Sequence, residues 1–275
     1  MSTLHVTPEL VARVDRFSVA FHTARMGALA AMPGNPFGVT MRFFGEGLAC
    51  KVRHPRQSGK NRVLGFRPDD LDLLDELVRF YREERLHFTL SVSPGQTTFE
   101  LFQRLVQAGL WSAGGGTVPA LVPTWSTSEE AHPTQSGIYV RRSGLEEREI
   151  YLNLFQEAFA QREESAPEYR AFQWAEDALP QTTRYIAEIE GKPVGMASFP
   201  ILDGIGYFGT AGVIPKCRGR GVQGALIRQR IADAPDLGCD LVLAGGSPGT
   251  TTYRNFERAG FRLIPTGSAW RERPT

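Results

Sequence analysis

The chain has 275 residues, 31 Lys+Arg against 30 Asp+Glu, a net charge of +1 and 41% hydrophobic residues. At about 150 residues per domain this is room for one large core or two small ones, and the charge balance excludes the basic excess of a general nucleic-acid binder. Cys50, Cys217 and Cys239 are odd in number and far apart with no CxxC or His/Cys cluster, and neither a leader pattern nor a run of about 20 apolar residues occurs, so the expectation is a cytoplasmic protein with reduced thiols, no metal and no membrane partner.

Thr7-Pro8-Glu9-Leu10 starts a helix with a capping hydroxyl and a first-turn proline. Apolar residues at helical spacing carry it to residue 31, where Met32-Pro33-Gly34 stops it. Residues rich in β-formers predict strands over 39–44 and 48–52, across Gly45-Glu46-Gly47, and over 61–66. An amphipathic helix over 68–82 places Leu71, Leu74, Leu77, Val78 and Tyr81 on one face. A strand over 88–92, a helix over 97–107 closed by Gly109, and a strand over 117–122 follow.

The hydroxyl-rich run from Pro123 to Ser136 reads as a linker. Beyond it the pattern predicts a strand over 137–141, a helix over 145–160 and a shorter helical stretch over 168–175. Strands over 184–188, 194–199 and 205–213 have tight connections, which makes them an antiparallel meander. A helix over 221–232, a strand over 240–244, a helix over 250–258 and a strand over 261–264 complete the order, with Trp270 in a final strand.

The two halves end alike. Phe88 to Leu110 and Leu241 to Phe261 each run strand, Ser-Pro-Gly-x-Thr-Thr, helix, Ala-Gly, strand. Shared order and shared motif predict a duplicated unit: an α+β protein with a first domain over 1–122, a linker over 123–136 and a second domain over 137–275.

The chemistry-bearing segment is Val213-Ile-Pro-Lys-Cys-Arg-Gly-Arg-Gly-Val-Gln-Gly-Ala-Leu226. Glycines at 219, 221 and 224 let backbone N–H groups approach a ligand, and the helix start adds unpaired donors and partial positive charge. Lys216, Arg218 and Arg220 add full charges, making this a phosphate or pyrophosphate cradle. Gly219-x-Gly221-x-x-Gly224 formally matches a dinucleotide fingerprint, but four residues separate it from the strand and too little chain follows for a parallel sheet. No GxxxxGK[ST] is present.

This segment resembles the acetyl-coenzyme A-dependent N-acetyltransferases of the GNAT superfamily, whose signature is an apolar strand, Val-x-Pro, and Arg/Gln-x-x-Gly-x-Gly/Ala entering a helix. Arg218-Gly-Arg-Gly221-Val-Gln223 fits, with Gln223 where Gly or Ala is usual. The resemblance covers about residues 136 to 270, including Phe256-Glu-Arg-Ala-Gly260-Phe261, similar to the family's Tyr-x-x-x-Gly-Phe. The first half has the same plan without the Arg-x-x-Gly-x-Gly, so it looks like a degenerate copy. The fold implied is two tandem GNAT-like domains, each a mixed, largely antiparallel sheet flanked by helices.

The resemblance implies that the strand end Ala211, Gly212 and Val213 holds the pantetheine arm of acetyl-coenzyme A. The N–H groups of Gly219, Arg220, Gly221, Val222, Gln223 and Gly224 would hold its pyrophosphate. Arg218 and Arg220 would neutralise phosphate charge, with Lys216 at the 3′-phosphate and Thr252 and Asn255 near the thioester. The reaction implied is direct acyl transfer to a primary amine of a small molecule or peptide, needing a base, an acid and an oxyanion donor. The family's usual acid is a tyrosine where this chain has Phe256. Tyr253, one turn earlier on the same helix, is the candidate acid, and Ser247 a second donor. Asp203 is the candidate base, with Glu188, Glu163 and Glu164 as others, and Arg162 to Glu168 the place for a substrate lid. The missing tyrosine also favours a rival, a non-catalytic coenzyme A-binding or regulatory module.

Overall fold

The computed structural model of the chain describes residues 5–54, 59–121, 137–159, 166–177, 179, 181–246 and 249–272. The chain forms two compact units, His5–Thr117 together with the chain from Ile264 onward, and Val118–Leu263. The linker expected over 123–136 lies outside the described residues.

In the first unit, α1 (Pro8–Ala30) is capped by Thr7, whose hydroxyl accepts from Leu10 N at 3.2 Å. The helix buries Val14, Phe17, His22, Met26 and Leu29. β1 (Val39–Phe44) and β2 (Gly47–Val52) form the expected hairpin, and β3 (Arg62–Leu64) joins β2 antiparallel and β4 (Thr89–Val92) in parallel. The helix expected over 68–82 is divided into a 3-10 turn, Pro68–Leu73, and α2 (Leu74–Arg82), which buries Leu74, Leu77, Val78 and Tyr81. Buried Asp70 organises that start: its carboxylate accepts from Arg67 N at 2.9 Å and from Glu46 N at 3.2 Å. α3 (Phe99–Gln107) is capped by the Thr98 hydroxyl.

The first sheet is completed by β12 (Arg262–Glu272), which pairs antiparallel with β4 from Ser268↔Val92 to Arg271↔Thr89. Gly267 permits the approach. Its φ is +100°, and a Cβ there would lie 1.6 Å from the Val92 carbonyl oxygen. Trp270 is buried with its ring 5.2 Å from that of Phe102. Composition placed residues up to 275 with the second domain, whereas packing assigns the stretch from Ile264 to the first.

In the second unit, β6 (Ile138–Ser143), β7 (Thr182–Ile189), β8 (Lys192–Leu202) and β9 (Ile205–Phe208) are successively antiparallel, the last three being the expected meander. β10 (Ala211–Val213) also pairs with β8. β11 (Leu241–Ala244) is parallel to β9 and antiparallel to the end of β5 (Leu110–Leu121), through Val242↔Leu121 and Leu243↔Ala120. The helices are α4 (Arg148–Ala158), α5 (Ala166–Asp177), α6 (Val222–Asp233) and α7 (Thr251–Arg258). A Cβ on Gly195 would meet Val222 and Leu226 of α6, and one on Gly212 would meet Ala158 of α4. Gly195 pairs with Val213 and Gly212 with Met196, so α6 and α4 cover opposite faces of the sheet.

The two sheets share one pattern. β1–β2–β3–β4–β12 and β7–β8–β9–β11–β5 each run antiparallel, antiparallel, parallel, antiparallel. Each last strand enters from the other half of the chain. α3 and α7 both end at Ala-Gly, with Gly109 at φ +85° and Gly260 at φ +89°. Each unit is a mixed, largely antiparallel sheet flanked by helices.

Candidate functional site

The expected strand over 205–213 is broken. On β8, the pairs Ile201↔Gly206 and Leu202↔Ile205 shift register before Ala211↔Ala197, Gly212↔Met196 and Val213↔Gly195. Gly209 and Thr210 occupy the break. Gly209 N donates to Tyr207 O at 2.9 Å, Ser198 N donates to Thr210 O at 2.9 Å, and a Cβ on Gly209 would lie 2.3 Å from Ser198 Oγ. β11 accompanies the strand only as far as Phe208. Among the described residues β10 therefore pairs with β8 alone, so no strand covers its other edge, where the Val213 carbonyl accepts from Arg218 Nε.

The chain leaves β10 through Ile214, whose N–H donates to Val194 O, and a 3-10 turn at Pro215–Cys217. Gly219 (φ +76°) and Gly221 (φ +87°) take left-handed conformations open to glycine, and Gly221 caps α6 without a side-chain acceptor. Among the described residues no carbonyl accepts from the N–H groups of Gly219, Arg220, Gly221, Val222, Gln223 or Gly224, and the helix's first bond is Ala225 N to Gly221 O at 3.0 Å. Such a row of donors at the head of a 12-residue helix carries partial positive charge that favours an anion.

The three basic residues divide their work. Arg218 is committed to backbone: its Nε donates to Val213 O at 3.2 Å and its Nη2 to Ala158 O at 2.6 Å, tying the loop to the end of β10 and the end of α4. Arg218, expected beside Arg220 as a phosphate partner, thus has two of its donors on carbonyls of the fold. Lys216 and Arg220 are exposed and make no hydrogen bond or ion pair among the described residues.

Tyr253 lies beyond the end of β11. Its ring lies 4.0 Å from where a Gly246 Cβ would stand, two residues beyond Ala244, which pairs with Phe208 at the break. The Thr250 hydroxyl caps α7 by accepting from Tyr253 N at 3.2 Å. The side chain is buried, its hydroxyl has no partner among the described residues, and burial, with the Glu257 carboxylate, holds it above the usual phenol range. Phe256 turns inward, with ring centroids 5.8 Å from Phe208 and 5.2 Å from Phe261. Thr252 is exposed, and Asn255, one turn along, accepts from Arg258 at 3.3 Å.

Asp203 is not brought to this site. It is exposed in the β8–β9 turn at φ +50°, at the opposite end of β9 from the break, on the order of 20 Å away at about 3.3 Å per strand residue. Glu188 is held by Arg141 at 2.9 Å. Ser247, Glu163, Glu164 and most of the expected lid lie outside the described residues. Sequence reasoning missed Gln173 and Phe159. Buried Gln173 on α5 accepts from Thr210 Oγ1 at 3.2 Å. Phe159 Cε2 lies 3.1 Å from a would-be Gly212 Cβ, with the residue 43% exposed beside β10.

All three cysteines are buried and unbridged. Burial pushes the Cys50 thiol up to about 12 and the Cys239 thiol up to about 11. Among the described residues no group of three or more His, Cys, Asp or Glu is placed to hold a metal, and no helix is long and apolar enough to cross a membrane.

Residues 148–261 match the acetyltransferase (GNAT) family. No curated protein matches the chain. Among solved structures, a GCN5-related N-acetyltransferase from Kribbella flavida is 16% identical with a TM-score of 0.61, covering 92% of this chain and 96% of that one. A tandem GNAT protein from the clavulanic acid biosynthesis pathway is 14% identical with a TM-score of 0.60, covering 96% and 97%. A GCN5-related N-acetyltransferase from Sphaerobacter thermophilus is 17% identical with a TM-score of 0.57, covering 98% and 95%. At these identities the likeness is one of fold. Residues 148–261 are thus similar to the acetyltransferase (GNAT) family, within a fold that the chain shares along its length with a tandem GNAT protein.

Proposed function

We propose that the second unit binds acetyl-coenzyme A and transfers its acetyl group directly to a primary amine. The observation that carries this reading is that β10, whose outer edge no strand covers, leads within a few residues to the N–H row from Gly219 to Gly224, from which no described carbonyl accepts. In this reading Ala211, Gly212 and Val213 bond the amides of the pantetheine arm as a neighbouring strand would. The N–H row and Arg220 hold the pyrophosphate, Lys216 takes the 3′-phosphate, Arg218 keeps the loop in place, and Thr252 and Asn255 flank the arm.

Bound acetyl-coenzyme A supplies a thioester, which an amine opens as the C–N bond forms and the C–S bond breaks. Tyr253, protonated at neutral pH as any phenol is, gives its proton to the departing sulfur. The reading assigns no step to Asp203, which stands at the far end of the strand. The acceptor's proton leaves to water.

Thiol release from acetyl-coenzyme A with a panel of primary amines tests the reaction, with Tyr253→Phe as the variant. Turnover should fall by about 10²-fold, the scale of one positioned acid, with coenzyme A affinity unchanged. An unaltered rate removes Tyr253 from the reaction. The inward packing of Phe256 favours the second reading, a non-catalytic coenzyme A module. Tight coenzyme A binding with no thiol release across the panel would establish that reading instead.

A further inference from the structure

Arg230 on α6 is the largest fully buried side chain described, at 1% exposed. Its Nε donates to Leu226 O at 3.0 Å, its Nη1 donates to Ser198 O at 3.2 Å, and its guanidinium lies 3.9 Å from the centre of the Phe208 ring. Its Nη2 is buried with no partner among the described residues. No carboxylate of the described residues pairs with it: Asp233, three residues on, accepts instead from Arg142, Tyr185 and Gln229. Burial draws Arg230 down to about 9, so it stays cationic at neutral pH.

A buried cation without a counter-ion is costly, and an apolar side chain of the same size is often more stable there. Its placement is informative. Ser198, whose carbonyl it holds, donates through its N–H to Thr210 O, and Phe208, whose ring it covers, is the last residue before Gly209. The uncompensated charge therefore stands directly behind the break in the strand.

We propose that Arg230 is an electrostatic positioning residue of the acyl-transfer site, favouring negative charge on the thioester oxygen and then on the departing sulfur. The inference rests on the coenzyme A reading above. As the amine nitrogen bonds to the carbonyl carbon, the π pair moves to oxygen. When that pair returns, the C–S bond breaks and sulfur leaves with both electrons, to be protonated by Tyr253. Arg230 touches none of these atoms. It acts through its field across a dry interior, where such charges are strongest.

The test titrates the thiol of coenzyme A bound to the full chain, followed by thiolate ultraviolet absorbance, in the wild type, Arg230→Gln and Arg230→Met. Affinity for coenzyme A is measured alongside by calorimetry. Gln keeps a donor for Ser198 without the charge, and Met fills the space with neither. The bound thiol should titrate lower in the wild type than in the other two by about one pH unit. That is the effect of a unit charge roughly 10 Å away at an effective dielectric of about 20. Equal thiol values in all folded proteins that bind coenzyme A overturn the role of Arg230 and leave the coenzyme reading standing. Absence of binding in the wild type overturns both. A purely structural Arg230 moves the unfolding midpoint of Arg230→Gln without moving the thiol.

Discussion

Arg218 Nη2 donates to the carbonyl oxygen of Ala158 at 2.6 Å, across 60 residues of sequence. That bond joins the last residue of α4 to the loop before α6, while the same guanidinium also holds Val213 O. The loop's shape thus depends on a charge that its sequence pattern advertised as a ligand contact.

Arg218 and Arg220 should therefore behave differently when replaced. Arg218→Ala removes two charge-assisted bonds and should lower unfolding free energy by about 1–2 kcal/mol, as read by denaturant titration. Arg220→Ala should leave stability unchanged while weakening coenzyme A binding and flattening its salt dependence. The opposite pattern would mean that the roles have been assigned the wrong way round.

Asp70 fills the helix start of the first unit with the chain's own carboxylate, bonded to Arg67 N and Glu46 N. Asp70→Ala should cost about 1–2 kcal/mol of stability, the scale of a lost cap, with coenzyme A affinity measured by calorimetry unchanged. An Asp70→Ala protein as stable as the wild type would show that the two N–H groups do not need this acceptor.

His22 is buried on α1, and desolvation with the charges of Arg25, Arg62 and Lys60 pushes it down to about 3. An unfolded imidazole takes up a proton below about 6.5, while the folded one stays neutral until about 3. Stability should fall as pH drops through that window, with a slope of about 1.4 kcal/mol per pH unit from this group. His22→Leu should remove that slope in urea unfolding measured from pH 7 to 4. Equal slopes in the two proteins would contradict the burial argument.

Local features were legible in the sequence because their causes are local. Thr7-Pro8 set the start of α1, the tight turns at Gly191 and Gly204 set the meander, and Gly219 and Gly221 marked the left-handed turns before α6. Partnership across the chain was not legible. The sequence predicts a strand over 261–264 and Trp270 in a final one, yet the single strand Arg262–Glu272 and its pairing with β4 depend on residues far away, with Gly267 making room beside Val92. The break at Gly209 had a signal, a glycine inside a strand pattern, that was overridden by the apolar residues around it. Asp203 was near β9 in sequence, but a strand carries its two ends far apart. The commitments of Arg218 and the burial of Arg230 depend on carbonyls supplied by other elements, which no motif records.

The central claim is that the outer edge of β10 and the N–H row before α6 together hold acetyl-coenzyme A. Calorimetric titration of coenzyme A into the wild type and into Gly221→Trp tests it most directly, because Gly221 sits at φ +87° at the head of the cradle. The account predicts saturable binding to the wild type and none to a folded Gly221→Trp protein. No binding to the wild type at millimolar coenzyme A, or equal binding to both proteins, would contradict it.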